Sequence, residues 1–303
     1  MEELVLKILI SLSGSVFGYF SLFVLVSIVL ESWLTGAPPF PYKERIPQLG
    51  LPFEEVAFPS SDHVTLRGWL FPPPAPDNPV VIYAHGSGRD LREGLPLVPI
   101  LREAGFGVLL FSYRNHGFSD RILRGHTYGL KESEDLDAAV RFLKERGYRS
   151  IGIIGYSLGA ASAIITAARN PEVKAVVAIA PFASATDLWF SNAFPLVPRP
   201  LLLFMLWLTE KRKGIKLAAV SPKDFIGKIA PRPILLIHGT RDSYIHPGHI
   251  RKLLEAAGAG ATLLTIEGAD HKSVFLPGFV KHRSFILNFL RKALSPAPAP
   301  GIR

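Results

Sequence analysis

Short, continuous apolar runs recur along this chain: Val80 to Ala84, Gly107 to Tyr113, Ser150 to Tyr156, Val173 to Ala180, Pro233 to His238 and Ala261 to Glu267. Their length and β-branched content are those of buried strands. Between them lie segments with helical spacing. Leu91 to Ala104 is one, and Lys131 to Arg146 is another, with Leu136, Ala139, Val140 and Leu143 on a single face. Ahead of the alternation, Glu54 to Pro59 and Val64 to Phe71 read as an entry hairpin that Pro72-Pro73-Pro74 terminates. Continuous apolar strands alternating with helices predict an α/β domain whose mostly parallel sheet is covered by helices on both faces.

The alternation is interrupted twice. Ile8 to Leu30 is charge-free for 23 residues, enough at the helical rise to cross about 30 Å of hydrocarbon, and predicts a transmembrane helix. A cleaved signal peptide competes with it, although the small-residue site Thr35-Gly36-Ala37 is followed by Pro38. Lys7 before the span, against Lys43 and Arg45 after it, leans the C-terminal domain toward the cytoplasm. The second interruption, Pro181 to Pro222, reads as a lid insertion. Within it, Leu196 to Leu208 is too short and too broken by Pro198, Arg199 and Pro200 to span a bilayer. It is either a core-facing lid helix or a greasy lid that covers the site or dips into a membrane surface. The expected organisation is therefore an anchor over 1–34, a Pro-rich linker over 35–50, a domain over 51–294 with its lid at 181–222, and a flexible tail over 295–303.

Charge and composition narrow the partners. Thirty-four Lys and Arg against 25 Asp and Glu give +9, which fits a basic solvated surface or attraction to anionic lipid. No nucleic-acid module or long Lys/Arg run appears, so nucleic acid is not an expected partner. Cysteine is absent, which removes disulfides, thiolate metal sites and a Cys nucleophile.

The chemistry concentrates where the third strand ends, at Gly155-Tyr156-Ser157-Leu158-Gly159. A strand turning sharply into a helix would expose Ser157, and Gly155 and Gly159 would let the chain pass close to its neighbours. A serine hydroxyl needs a base to take its proton and an acid to orient that base. Asp242 follows strand Ile234 to His238, and His271 follows strand Thr262 to Glu267, which gives the order Ser, Asp, His at three strand ends. Asp270 is a rival acid, but beside His271 it should point elsewhere. His238 reads as a core residue, and His246 and His249 as residues of a helix start. The backbone N–H groups of Leu158 and Ser87 are the candidate oxyanion donors, with Gly86 and Gly88 allowing close approach. His85 should hold its loop by a side-chain hydrogen bond. This chemistry calls for no metal or cofactor.

These motifs together resemble the α/β-hydrolase superfamily from about Glu54 to Leu294. Within it, the chain is similar to membrane-anchored serine hydrolases grouped with the prolyl-oligopeptidase-like and Bem46-like proteins. The resemblance rests on His85-Gly86-Ser87-Gly88, on Ser112 to Ser119, on Gly155 to Gly159, on Gly239-Thr240-Arg241-Asp242 and on Asp270-His271. It implies an α/β-hydrolase fold and a serine esterase that passes through an acyl-enzyme on a small-molecule ester, with lipid esters among the candidates. It implies a structural or pocket-forming part for Arg114 to Ser119. A peptidase or thioesterase with the same triad, and a non-catalytic membrane scaffold, are the alternatives.

Overall fold

The computed structural model describes residues 13–15, 17–29, 49–122, 125–192 and 198–294. Eight strands form one sheet in the order β1-β2-β4-β3-β5-β6-β7-β8: β1 (Glu54–Pro59), β2 (Thr65–Phe71), β3 (Val80–Ala84), β4 (Gly107–Ser112), β5 (Ile151–Tyr156), β6 (Val173–Ile179), β7 (Ile234–Gly239) and β8 (Ala261–Ile266). The hairpin β1–β2 joins antiparallel, β2 meets β4 antiparallel, and β3 to β8 are all parallel. Every residue of β3, β4, β5 and β7 is buried, the signature of strands covered on both faces. Ala261 to Glu267 was expected to be a buried strand as well. The structure corrects this, because β8 is the sheet edge and leaves Thr262, Leu263 and Thr265 exposed. An edge strand has one neighbour instead of two.

The helices are α1 (Leu97–Glu103), α2 (Leu130–Glu145), α3 (Leu158–Arg169), α4 (Ala185–Ser191), α5 (Arg199–Lys213), α6 (Pro222–Ile226), α7 (Pro247–Ala257), α8 (Leu276–Lys281) and α9 (Arg283–Leu294), of which α4 and α5 pack in a small cluster of their own with Phe182 and Leu217. One core joins alternate strand residues such as Ile82, Ile153 and Leu236 to the apolar face of α2 and to Ala160, Ala163 and Ile164 of α3. The other joins Val81, Ile154 and Leu235 to Leu97 and Leu101 of α1 and to Ile286 and Leu290 of α9. Pro96 breaks the expected helix Leu91 to Ala104 into a 3₁₀ turn, Leu91–Gly94, followed by α1.

In the insertion, α5 begins only at Arg199, with Pro200 in its first turn where a missing N–H costs nothing. Thr209 and Lys213 are buried, Leu206 packs on the apolar cluster that includes Phe182 and Leu217, and Leu201, Leu203 and Trp207 are exposed, so α5 turns only part of its apolar surface inward. Residues 17–29 are helical and largely exposed, and Phe20 and Phe23 pack on Phe204 of α5 at 5.5 and 5.9 Å between ring centroids. Among the described residues, no helix is long and apolar enough to cross a membrane. Residues 8–12, 16 and 30 of the run Ile8 to Leu30, most of the linker 35–50, residues 193–197 of the insertion and the tail 295–303 lie outside the described residues.

Candidate active site

Because β3 is followed outward by β4, and β5 by β6, β7 and β8 in the other direction, the chain reverses between β3 and β5. Crevices in open parallel sheets form at the carboxyl ends of the strands beside such a reversal. The loop after β3 and the turn after β5 both face that crevice. Ser157 occupies the turn with φ 53° and ψ −112°, a positive-φ conformation that a serine adopts only when its surroundings impose it. Its N–H is fixed to the carbonyl of Ile179 on β6 at 2.8 Å. A Cβ at Gly155 would overlap the backbone of Gly159, and one at Gly159 would overlap the carbonyls of Ala84 and His85. The two glycines therefore let α3 start directly against the loop after β3.

His271 reaches this turn from the loop after β8. Its Nε2 lies 3.1 Å from Ser157 Oγ, and its Nδ1 lies 2.8 Å from Asp242 Oδ2. Asp242, buried in the loop after β7, also accepts the N–H groups of Tyr244 (3.0 Å) and Ile245 (2.7 Å) on Oδ1. One carboxylate oxygen is thereby anchored to backbone, and the other is left to the imidazole. The rival Asp270 is fully solvated and turned onto Ser273, whose N–H and hydroxyl hold its carboxyl below the usual range.

The other expected residues divide by role. His85 is buried, with Nδ1 2.9 Å from the Gly86 carbonyl and Nε2 accepting the N–H of Tyr113 at 3.2 Å; burial drives its pKa well below the ordinary value. It ties the loop to the end of β4, with both ring nitrogens engaged there. Gly86 passes so close to the Tyr156 ring that an added Cβ would sit 3.0 Å from it. The N–H groups of Ser87 and Leu158 donate to no backbone carbonyl among the described residues. His249 is buried and accepts the N–H of Ala183, His246 caps α7, and His238 is buried within β7. Arg114 is a structural clip whose guanidinium meets Asp135, Asp62 and Ser60. Among the described residues, no cluster of His, Asp and Glu has the arrangement of a metal site.

A family model described as the alpha/beta hydrolase fold matches residues 79–221, which span β3 to the end of the insertion. The chain has the α/β-hydrolase fold. An esterase of Pyrococcus furiosus superposes with a TM-score of 0.71 at 24% identity, covering 86% of this chain and 98% of that one. The protein YfhR of Escherichia coli O157:H7 is 29% identical over 255 residues, 80% of this chain and 82% of its own length. A thiohydrolase of Arthrinium phaeospermum is 33% identical over 132 residues, 42% of this chain and 43% of its own. Within this α/β-hydrolase fold, the Asn192 amide just past the end of α4, in the insertion, donates to the carbonyl of Tyr244 in the loop that carries Asp242, at 3.2 Å.

Three residues around the site escaped the sequence reading. Glu93 accepts the N–H of Gly86 (2.7 Å) and the hydroxyl of Tyr83 (3.0 Å), and burial raises its pKa. Tyr156 stacks on Phe275 at 4.8 Å. His126 contacts the hydroxyl of Ser87. Glu93 and His126 carry no sequence signal, because each acts across a loop that only the fold closes. Tyr156 stood inside the elbow motif, but no spacing rule connects it to residue 275.

Proposed function

We propose that this protein is a serine carboxylesterase, anchored to a membrane by its N-terminal segment, that works through an acyl-enzyme. The single observation that carries the reading is His271 standing between Ser157 and Asp242 within hydrogen-bond distance of both. In this mechanism Ser157 Oγ attacks the ester carbonyl while His271 Nε2 takes its proton. The oxyanion is received by the N–H groups of Ser87 and Leu158, and His271 returns the proton to the leaving alcohol. Water then repeats the cycle on the acyl-enzyme. Asp242 keeps the proton of the imidazole on Nδ1 and stabilises its cation. A fluorophosphonate probe should label the wild type and not Ser157→Ala, and p-nitrophenyl ester turnover should vanish with the label. Turnover retained by Ser157→Ala, purified free of other esterases, ends this reading.

The membrane reading, and with it a Bem46-like assignment and a lean toward lipid-derived acyl esters, is supported by the charge-free run Ile8 to Leu30 and by the exposed apolar helix α5 packed against it. Arg199 at the start of α5 and Lys211 and Arg212 at its end suit the headgroup level on either side of an apolar stretch. Sedimentation with vesicles should be lost when residues 1–34 are removed. A thioester is the second substrate class, favoured by the thiohydrolase relative. Parallel assays on matched oxygen and sulfur esters separate the two.

A further inference from the structure

The side chain of Ser87 is held in a way that a backbone role alone does not require. His126, buried in the loop before α2, places Nε2 2.6 Å from Ser87 Oγ. Its Nδ1 lies 3.1 Å from the N–H of Tyr128. A backbone N–H can only donate, so Nδ1 is the acceptor, and in a neutral imidazole the proton must then sit on Nε2. Burial keeps His126 neutral, and the groups that face it, His116, Lys213 and His85, push in the same direction. The ring also stacks on His116 at 6.5 Å and packs edge-on to Tyr128 at 5.0 Å, so it is not free to turn over.

Ser87 Oγ is therefore the acceptor in this pair. A hydroxyl carries one proton, and with His126 occupying one lone pair, that proton has to be given elsewhere. Among the described residues, Ser87 Oγ has no other protein partner. The residue is half-buried, and its loop lies against the elbow through the contacts of Gly159 with Ala84 and His85 and of Gly86 with Tyr156.

We propose that the Ser87 hydroxyl is a third oxyanion donor, beside the N–H groups of Ser87 and Leu158, and that His126 is the positioning residue that turns its proton toward the reacting carbonyl. The proposal rests on the serine-esterase reading. A neutral donor aimed at a developing negative charge strengthens most in the tetrahedral intermediate, so its loss falls on kcat and spares KM.

The test uses the purified full-length protein in detergent with p-nitrophenyl butyrate. Ser87→Ala should lower kcat about 10- to 100-fold with KM within about twofold, whereas Ser87→Thr, which keeps the hydroxyl, should stay within about threefold of wild type. His126→Phe should fall as far as Ser87→Ala, and the double variant no further, because one interaction is being removed twice. His126→Gln, which offers an N–H to Ser87 and an oxygen to Tyr128, should recover most of the loss. The inference is overturned if folded Ser87→Ala keeps more than half of wild-type kcat, or if His126→Phe costs as much in the Ser87→Ala background as alone. Should His126→Phe not fold, the comparison of Ser87→Ala with Ser87→Thr decides by itself. Ser157→Ala run alongside separates the failures: its inactivity with an unimpaired Ser87→Ala sinks only the third donor, whereas its activity sinks the esterase reading.

Discussion

The hydroxyl of Tyr156 donates to the backbone carbonyl of His271 at 2.7 Å, so the residue preceding the elbow serine holds the residue facing that serine. The contact crosses 115 positions of sequence. It links the end of β5 to the loop after β8 without using the imidazole, whose two nitrogens are already engaged. The Tyr156 ring stacks on Phe275 of the same loop, and Tyr244 lies 5.0 Å from the His271 ring on the Asp242 side.

Removing that hydroxyl alone should loosen the histidine without unpacking the loop. Tyr156→Phe keeps the stack on Phe275 and loses one hydrogen bond, a cost of about 1 kcal/mol in stability. The expected kcat falls about 3- to 10-fold, since small misplacements of a base are expensive. Thermal melts and steady-state kinetics on a soluble ester check both values; unchanged kcat would show that the stack alone positions His271.

Asp242→Asn retains the shape of the carboxylate and offers an N–H where His271 Nδ1 needs an acceptor. The imidazole is then driven to the wrong tautomer, and kcat should drop on the order of 10³- to 10⁴-fold. Circular dichroism should remain that of the wild type. Asp270→Asn, by contrast, should leave kcat within about twofold, because that carboxyl accepts only from its own loop, from Lys272 and Ser273. Equal losses in the two variants would contradict the assignment of the orienting acid.

Buried histidines, among them His85, His116 and His126, tie stability to pH. Burial lowers His116 to about 4 and holds His85 and His126 well below the ordinary histidine value. The unfolded chain takes up protons below about pH 6.5 that the folded state refuses, so the stabilisation is complete above that pH and is lost as pH falls toward the folded values. His116 by itself accounts for about 3 kcal/mol across that window. Buried Glu93 and Asp135, whose pKa values burial raises, act in the opposite sense: their stabilising effect is present in acid and fades as pH rises through their folded values. Urea titrations at pH 7.5, 5.5 and 4.5 should show a falling midpoint, with a flatter fall in His116→Gln. A midpoint independent of pH would mean that the histidines protonate in place.

The Arg114 clip should be structural. Asp135 is fully buried and takes the Arg114 N–H at 2.9 Å as well as the guanidinium at 2.6 Å. Asp135→Ala leaves a buried cation with only Asp62 and Ser60 and should cost about 3–5 kcal/mol. The variant that still folds should keep wild-type kcat, measured as turnover per active site titrated with a fluorophosphonate.

Local pattern was enough for much of this molecule. Strand runs such as Val80 to Ala84 and the apolar face of α2 were legible because burial on both sheet faces, or on one helical stripe, leaves a periodic trace in the chain. The elbow was legible because Gly155 and Gly159 flank a serine where nothing larger fits, and Asp242 and His271 because each lies in the loop just past the end of a strand. Sequence could not tell β8 from a central strand, since an edge is a fact about neighbours. Nor could it say which way α5 turns its apolar face.

What the sequence by itself determined is therefore the order of elements and the residue types offered at each strand end. Only the tertiary structure decided that Ser157, His271 and Asp242 meet, that Glu93 pins Gly86, and that His126 takes a lone pair of Ser87. Hydrogen bonds between loops act over about 3 Å and depend on direction, whereas the chain fixes only where each loop begins. The elbow glycines could be read in advance because their constraint is steric and local. The proton of Ser87 could not, because its direction is set by a histidine 39 residues away.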